Sequence, residues 1–306
     1  MTKTLTQTAP IPHVLVAKPT AKYLIPALLA CYFIWGSTYL AIRFALISFP
    51  PFLQMGLRFV FAGLLLAIFM RFQGAKWPTQ LEWRNAFVVG ALMLCGGMGL
   101  TGVASQTIGS GLIATFIAVV PMLVCGWGLL WGKRPSALEV TGMVLGLVGV
   151  FLLVRDVSFS ASGAGLAAIC GATLMWSLGS VLQTTKLPLA SGPMGFASEM
   201  LCGGAALLLI AMVLGEAPQW PPQQMAAAAW MYLVVFGSLI AFSSYLYLLA
   251  HASPALATSY AFVNPVIALF LGVVFGGEIV SLGEWFASGV VLFGVVLIFL
   301  AKTQKT

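Results

Sequence analysis

The chain alternates long apolar runs with short polar punctuation. No Asp, Glu, Lys or Arg occurs from Tyr23 to Ile42, from Asn85 to Gly132, or from Ala217 to Gly277. A helix rises about 1.5 Å per residue, so about 20 apolar residues cross the hydrocarbon core of a bilayer. The first gap has room for one crossing, and each of the others for at least two. Charges and turn residues within the apolar stretches divide them into ten predicted spans: 23–43, 52–71, 84–104, 107–131, 138–154, 164–185, 194–215, 226–250, 254–275 and 284–301. The connections are mostly short and leave no room for a soluble catalytic domain.

The order of features in the first half returns in the second. Trp35 with Gly36 and Ser37 recurs as Trp176 with Ser177, and Pro121 recurs as Pro265, about 141 to 145 residues later. Each copy holds five spans. Because five is odd, the second copy enters the bilayer from the opposite side, which is the inverted repeat of carriers that open alternately to each face. The predicted fold is an all-α integral membrane protein with ten transmembrane helices in two inverted five-helix repeats. A polar tail covers residues 1–22, the repeats cover 23–154 and 155–301, and a short tail covers 302–306. The first tail carries Pro10, Pro12 and Pro19 and is expected to be poorly ordered. A cleaved signal peptide is not expected, since the first apolar run begins at Tyr23 and is long enough to span.

Composition agrees with a lipid environment. Hydrophobic residues make up 61% and charged residues 7% of the chain, against about 25% charged in soluble domains. The mean hydropathy is +1.05. With the N-terminus inside, Lys3, Lys18, Lys22, Arg71, Lys76, Arg84, Lys133, Arg134, Lys186, Lys302 and Lys305 all fall on the cytoplasmic side, against Arg43 and Arg155 outside. This is the positive-inside asymmetry, so both termini are expected in the cytoplasm. The net charge of +7 then orients the chain and gives no support to nucleic-acid binding. The five cysteines have no metal or disulfide spacing and read as small packing residues. No Walker loop or metal-binding set is present, and no cofactor is expected. Gly97 to Gly102 matches the dinucleotide fingerprint, but within an apolar span and without a βαβ context. His13 lies in the tail, and His251 is expected in a solvated cytoplasmic turn.

Several further residues carry a resemblance. Trp35-Gly36-Ser37-Thr38 is followed by Pro50-Pro51, Leu57-Arg58-Phe59, Val119-Val120-Pro121, the Gly-Lys-Arg-Pro turn at 132–135, and Gly142, Gly146 and Gly149. The second half adds Asn264-Pro265 and Gly277-Glu278. From about residue 23 to 301 the chain resembles the EamA-type ten-helix bacterial carriers of the drug/metabolite transporter superfamily. The resemblance implies an inner-membrane carrier of small organic solutes, akin to exporters of aromatic and other neutral amino acids. It departs from the pattern at Lys133, where the turn after the fourth helix usually carries an acid.

Polar and aromatic residues inside the spans are the candidate functional groups. Ionisable side chains are costly in mid-membrane, and two of them, Arg58 and Glu199, occupy equivalent places in the repeats with opposite sign. They are candidate gating or charge-selective residues, with snorkelling to the headgroups as the alternative. Inversion sets Arg58 toward the outside and Glu199 toward the cytoplasm, so they are not expected to pair. The candidate substrate-binding set is Trp35, Thr38, Tyr39, Trp176, Ser180, Tyr245, Tyr260 and Asn264, since flat indole walls and neutral hydrogen-bonding groups suit a solute with an aromatic body. Pro121 and Pro265 are expected to break helices and free carbonyls for a cavity or gate. The small-xxx-small pair Gly142 and Gly146 reads as packing, with a dimer face as one location. Trp77, Trp83, Trp131, Trp220, Trp230 and Trp285 read as interface anchors.

The expected partners are a small-molecule substrate and the bilayer, with no nucleic acid and a monomer or weak homodimer. An exchanger or importer of a nucleobase, sugar or drug is the alternative within the carrier class. A membrane enzyme would need a catalytic constellation that is missing, and a pore would favour polar rings on symmetric subunits.

Overall fold

The computed structural model describes residues 23–108, 113, 116–154, 162–276 and 281–303. Among these the regular elements are all helices: α1 Leu24–Ala45, α2 Pro51–Phe72, α3 Gln80–Ala104, α4 Val120–Leu129, α5 Ala137–Val154, α6 Gly163–Thr185, α7 Pro193–Val213, α8 Gln224–His251, α9 Pro254–Thr258 continuing as Tyr260–Gly276, and α10 Leu282–Thr303. The face at which α1 begins is called proximal below, and the face at which it ends distal. Residues 1–22 and 304–306, Arg155 and the Gly277-Glu278 turn lie outside the described residues, while residues 302–303 of the expected tail continue α10.

The helix starts follow from local chemistry. At the head of α3, the Thr79 hydroxyl accepts from the Glu82 N–H at 3.3 Å, and the Glu82 carboxylate accepts from the Thr79 N–H at 2.7 Å. Ser136 and Glu139 repeat this capping box at the head of α5. The first turn of α2 is capped from the other repeat, where the N–H groups of Phe52 and Leu53 donate to the Glu216 carboxylate at 3.3 and 2.7 Å. A carboxylate suits the positive end of that helix dipole.

The packing has the symmetry of an inverted repeat. α2 lies on α7 and α5 on α10; α1 packs against α8 and α9, while α6 packs against α3 and α4. Exchanging α1 with α6, α2 with α7, and so on to α5 with α10, maps these neighbours onto one another. The close approaches are made by small residues. A methyl on Gly142 would sit 2.5 Å from the Gly294 carbonyl oxygen, and one on Gly146 would sit 2.8 Å from the Phe262 ring. Gly142 and Gly146 are thus packing residues, as expected, and they pack α5 against α10 and α9 within one molecule. Large apolar side chains such as Phe33, Phe69, Leu130, Met212 and Phe293 are exposed on the outside of the bundle, as a lipid-facing surface requires.

Three departures from the sequence reading bear on function. First, Ala91–Gly99 in α3 and Leu233–Phe242 in α8 are wound as π-helix at equivalent places in the repeats, and no sequence signal marked them. Second, Pro121 stands in the first turn of α4, where its missing N–H would be unpaired in any case. It therefore starts a helix and does not break one, and the predicted span 107–131 is not one continuous helix. Pro265 does lie inside α9. Third, His251 is the last residue of α8, half-buried, with its Nδ1 2.9 Å from the Tyr247 carbonyl oxygen and its ring stacked on Tyr247 at 4.2 Å. It is not a solvated turn residue.

Candidate functional site

Trp35 and Trp176 occupy matching turns of α1 and α6, and each is seated on the π-helical stretch of the opposite repeat. The Trp35 indole N–H donates to the Gly237 carbonyl oxygen at 3.3 Å. Trp176 lies over Gly97, where a methyl would come within 2.9 Å of the indole ring. A π-helix carries an extra residue per turn and puts a backbone segment out of register, a feature common at functional sites. Here it opens room for an indole at both crossings.

The two tryptophans meet two tyrosines of the second repeat, Tyr245 and Tyr260. Ring centroids are 5.7 Å apart for Trp35 and Trp176, 5.2 Å for Trp35 and Tyr245, and 4.6 Å for Trp35 and Tyr260. Trp176 stacks on Tyr245 at 5.4 Å, and Tyr245 meets Tyr260 edge-on at the same separation. Edge-on and offset contacts of this kind contribute about 0.5–1.5 kcal/mol each beyond area burial. These four of the eight residues proposed from the sequence thus form one cluster.

A cavity with about 560 Å³ of atom-free space lies on the distal side of the cluster. Trp35, Trp176 and Tyr260 line it, with Thr38 and Ile42 from α1, Thr101 from α3, Val120 from α4 and Asn264 from α9. The described lining residues include no Asp, Glu, Lys, Arg or His. The hydroxyls of Thr38, Thr101 and Thr173 donate to carbonyls of their own helices, at 2.8, 2.8 and 3.1 Å, which leaves oxygen lone pairs to accept. The Asn264 amide nitrogen, in the orientation its neighbours demand, donates to the carbonyls of Tyr260 and Tyr32 at 3.1 and 3.3 Å and ties α9 to α1 one residue before Pro265.

The proximal side is closed beneath the cluster. Tyr245 is fully buried, and its hydroxyl shares a 2.8 Å hydrogen bond with Ser180, which also donates to the Trp176 carbonyl oxygen at 2.8 Å. The Trp176 N–H makes no hydrogen bond of acceptable geometry, although the Tyr245 hydroxyl lies beside it. Below this layer is a second cavity of about 330 Å³ of atom-free space, lined by Ser180, Val181, Thr184, Lys133, Leu249 and Ala252 among others. The Lys133 ammonium donates to Thr184 at 2.9 Å across its mouth. Partial burial lowers the Lys133 pKa below the ordinary lysine value. Ser180 thus belongs to the closed layer and not to the distal cavity. Tyr39 lies in α1, outside the residues whose side chains are described.

Arg58 and Glu199 are fully buried, which rules out snorkelling. The Arg58 Nε donates to Ser238 Oγ at 2.7 Å, an Nη points to Met55 Sδ at 3.6 Å, and the guanidinium lies 4.9 Å from the Phe59 ring centroid. A methyl on Gly237 would lie 2.7 Å from Arg58 Nη2 and 3.4 Å from Thr38 Cγ2, so the guanidinium sits directly behind the cavity wall. Both Glu199 oxygens lack a hydrogen-bond partner.

Sequence reasoning passed over Trp127, whose N–H donates to Ser177 at 3.1 Å between α4 and α6, and Ser238, the partner of Arg58. It also took Trp230 as an interface anchor, yet its N–H donates to the Gln54 carbonyl oxygen at 3.3 Å and its ring meets Phe49 and Phe61. A buried polar residue opposite a charged one was the available signal for Ser238.

Residues 22–155 and, separately, residues 163–300 match the EamA-like transporter family. The chain belongs to that family. This EamA-family chain is 41% identical over 280 residues to the uncharacterized inner membrane transporter YedA of Escherichia coli strain K12, covering 91% of each chain. Protein PecM of Dickeya dadantii is 28% identical over 271 residues, covering 88% of this chain and 87% of PecM. A solved crystal structure with 21% sequence identity superposes with a TM-score of 0.75, covering 92% of this chain and 98% of the other, and so shares the fold. The EamA-family chain is a membrane transporter of small solutes, and its all-α fold comprises two inverted repeats.

Proposed function

We propose that the chain is an alternating-access carrier whose distal cavity binds neutral or zwitterionic solutes with an aromatic body, aromatic amino acids foremost, and moves them outward across the inner membrane. The observation that carries the solute class is the composition of the cavity wall: two indoles and a phenol, three threonine hydroxyls and an asparagine, with no Asp, Glu, Lys, Arg or His among the described lining residues. An uncharged wall disfavours a net charge on the solute, since desolvation would go uncompensated. Flat rings on both repeats offer stacking surfaces to a ring between them. The outward direction rests on the likeness to amino acid exporters.

The orientation reading is that the proximal face is cytoplasmic. Arg71, Lys76, Arg84, Lys133, Arg134 and Lys186 all stand at helix ends or turns on that face, as the positive-inside rule requires. The distal cavity then faces the periplasm, and the Tyr245–Ser180 layer with the Lys133–Thr184 contact closes the cytoplasmic side.

The test is counterflow in proteoliposomes. Vesicles preloaded with unlabelled tryptophan, phenylalanine or tyrosine should take up the labelled amino acid faster than empty vesicles and with saturation. Trp35→Ala and Trp176→Ala should each weaken half-saturation. Labelled nucleobases and sugars form the comparison. Counterflow confined to them, with a flat response across amino acids, would overturn the substrate class; non-saturating flux would overturn the carrier.

A further inference from the structure

The repeat relation that carries Trp35 onto Trp176 and Arg58 onto Glu199 also carries Gly97 onto Ser238, all at one spacing of 141 residues. In one repeat the buried charge of α2 meets a hydroxyl from the π-helical stretch of α8 at 2.7 Å. In the other, the position that would supply the partner of Glu199 is glycine. Both Glu199 oxygens are accordingly without a hydrogen bond, at zero exposure, in the membrane-spanning part of α7. An ionised carboxylate in such a place costs several kcal/mol, whereas the protonated acid costs much less.

We propose that Glu199 is a proton-binding site linked to the opening of the proximal side, so that a proton occupies it when the distal cavity is open and leaves it when the proximal side opens. The proposal rests on the alternating-access reading. Glu199 is six residues into α7, which starts on the proximal face. In this conformation the carboxyl is fully buried; opening that half admits water and lets it ionise. A group that ionises in only one of two states shifts their balance with pH. Protonation favours the state that buries it, so rising pH favours the proximal-open state. When the proximal side opens, the carboxyl releases its proton to water as hydronium, and it takes one back from that water before the side closes; no other bond changes.

The groups facing Glu199 are few. Tyr245 on α8 and Cys202 on α7 itself are within electrostatic range of it. Arg58 on α2 and Cys95 on α3 lie on the helices packed against α7 and make no bond to the carboxyl, and Glu82 and Arg84 stand in the first turns of α3. Tyr245 is also the residue that closes the layer under the cavity, so the carboxyl lies within reach of the gate.

The experiment needs no substrate. Ala252→Cys places a thiol in the proximal cavity, and its reaction with a membrane-impermeant maleimide is followed against pH in purified protein, with the unsubstituted chain as background and rates corrected for the thiolate fraction. Labelling should rise with pH by up to about tenfold per pH unit, the limit for one linked proton. Glu199→Gln, which keeps the shape of the neutral acid, should hold labelling at the low, acid-side rate at every pH. Glu199→Asp should retain a pH dependence, displaced along the pH axis. A pH dependence that survives in Glu199→Gln but disappears in Lys133→Met or His251→Asn would overturn the proposal. So would a Glu199→Gln rate equal to the high-pH rate. Labelling that never changes with pH in the parent would also overturn it, whereas counterflow confined to other solutes would leave it standing.

Discussion

The bond between Tyr245 and Ser180 lies between the two cavities, and removing it tests the proposed gate. Tyr245→Phe keeps the ring and therefore its contacts with Trp35, Trp176 and Tyr260 at 5.2–5.4 Å. It deletes only the hydroxyl that meets Ser180 at 2.8 Å. Ser180 is not orphaned, because it still donates to the Trp176 carbonyl at 2.8 Å. The loss is thus one net hydrogen bond, about 0.5–1.5 kcal/mol. If the bond exists only while the proximal side is closed, the proximal-open population rises by a factor of about 2 to 12. Maleimide labelling at Ala252→Cys should increase by that factor at fixed pH. Ser180→Ala should do the same, and the double variant should add nothing, because both substitutions remove the same bond. Unchanged labelling, or fully additive single effects, would refute the assignment of this pair to the gate.

Other expectations follow from single contacts. Ser238→Ala should destabilise the solubilised protein by about 1.5–3 kcal/mol, the usual worth of a hydrogen bond to a charged group; SDS-induced unfolding measures it, and the effect should vanish when Arg58→Met is already present. Lys133→Met should raise labelling at Ala252 by releasing Thr184, and an unchanged rate would remove that contact from the closure. Gly97→Leu forces a side chain against the Trp176 ring, so it should abolish counterflow more completely than the same change at Gly126, where no neighbour lies within 4 Å of a methyl. Gly142→Val should lower yield and thermal stability with no change in particle mass by light scattering, since its neighbours are Gly294 and Ile298 of the same chain; a halved mass with stability intact would restore the dimer-face reading.

How much of this was legible in the sequence depends on whether a feature is periodic or relational. Ten apolar spans, their inversion and the pairing of Trp35 with Trp176 follow from spacing alone, because crossing a bilayer imposes one length and duplication imposes one order. Tyr245 and Tyr260 were singled out as polar groups in otherwise apolar spans, but their ring contacts with those tryptophans were not. What stayed hidden was local backbone geometry. Nothing in Ala91–Gly99 or Leu233–Phe242 announces a π-helix, since each stretch seats an indole from the other repeat, a long-range contact that local sequence does not show. Pro121 misled for a similar reason: a proline in an apolar run reads as a break, and only the neighbouring turn at 118–119 shows that it begins a helix. Ser180 was assigned to the substrate, whereas its 2.8 Å bond to Tyr245 holds it beneath the distal cavity, and a partner on α8 is invisible in the spacing of α6. The same logic explains why the duplicated positions matter most where they differ. Symmetry supplies two equivalent seats for an indole, and a rigidly symmetric carrier would have no preferred direction of coupling. Arg58 with its serine and Glu199 without one break that equivalence at buried, costly positions, and a cost borne on one side of the cycle only is what gives a proton a handle on the conformational equilibrium.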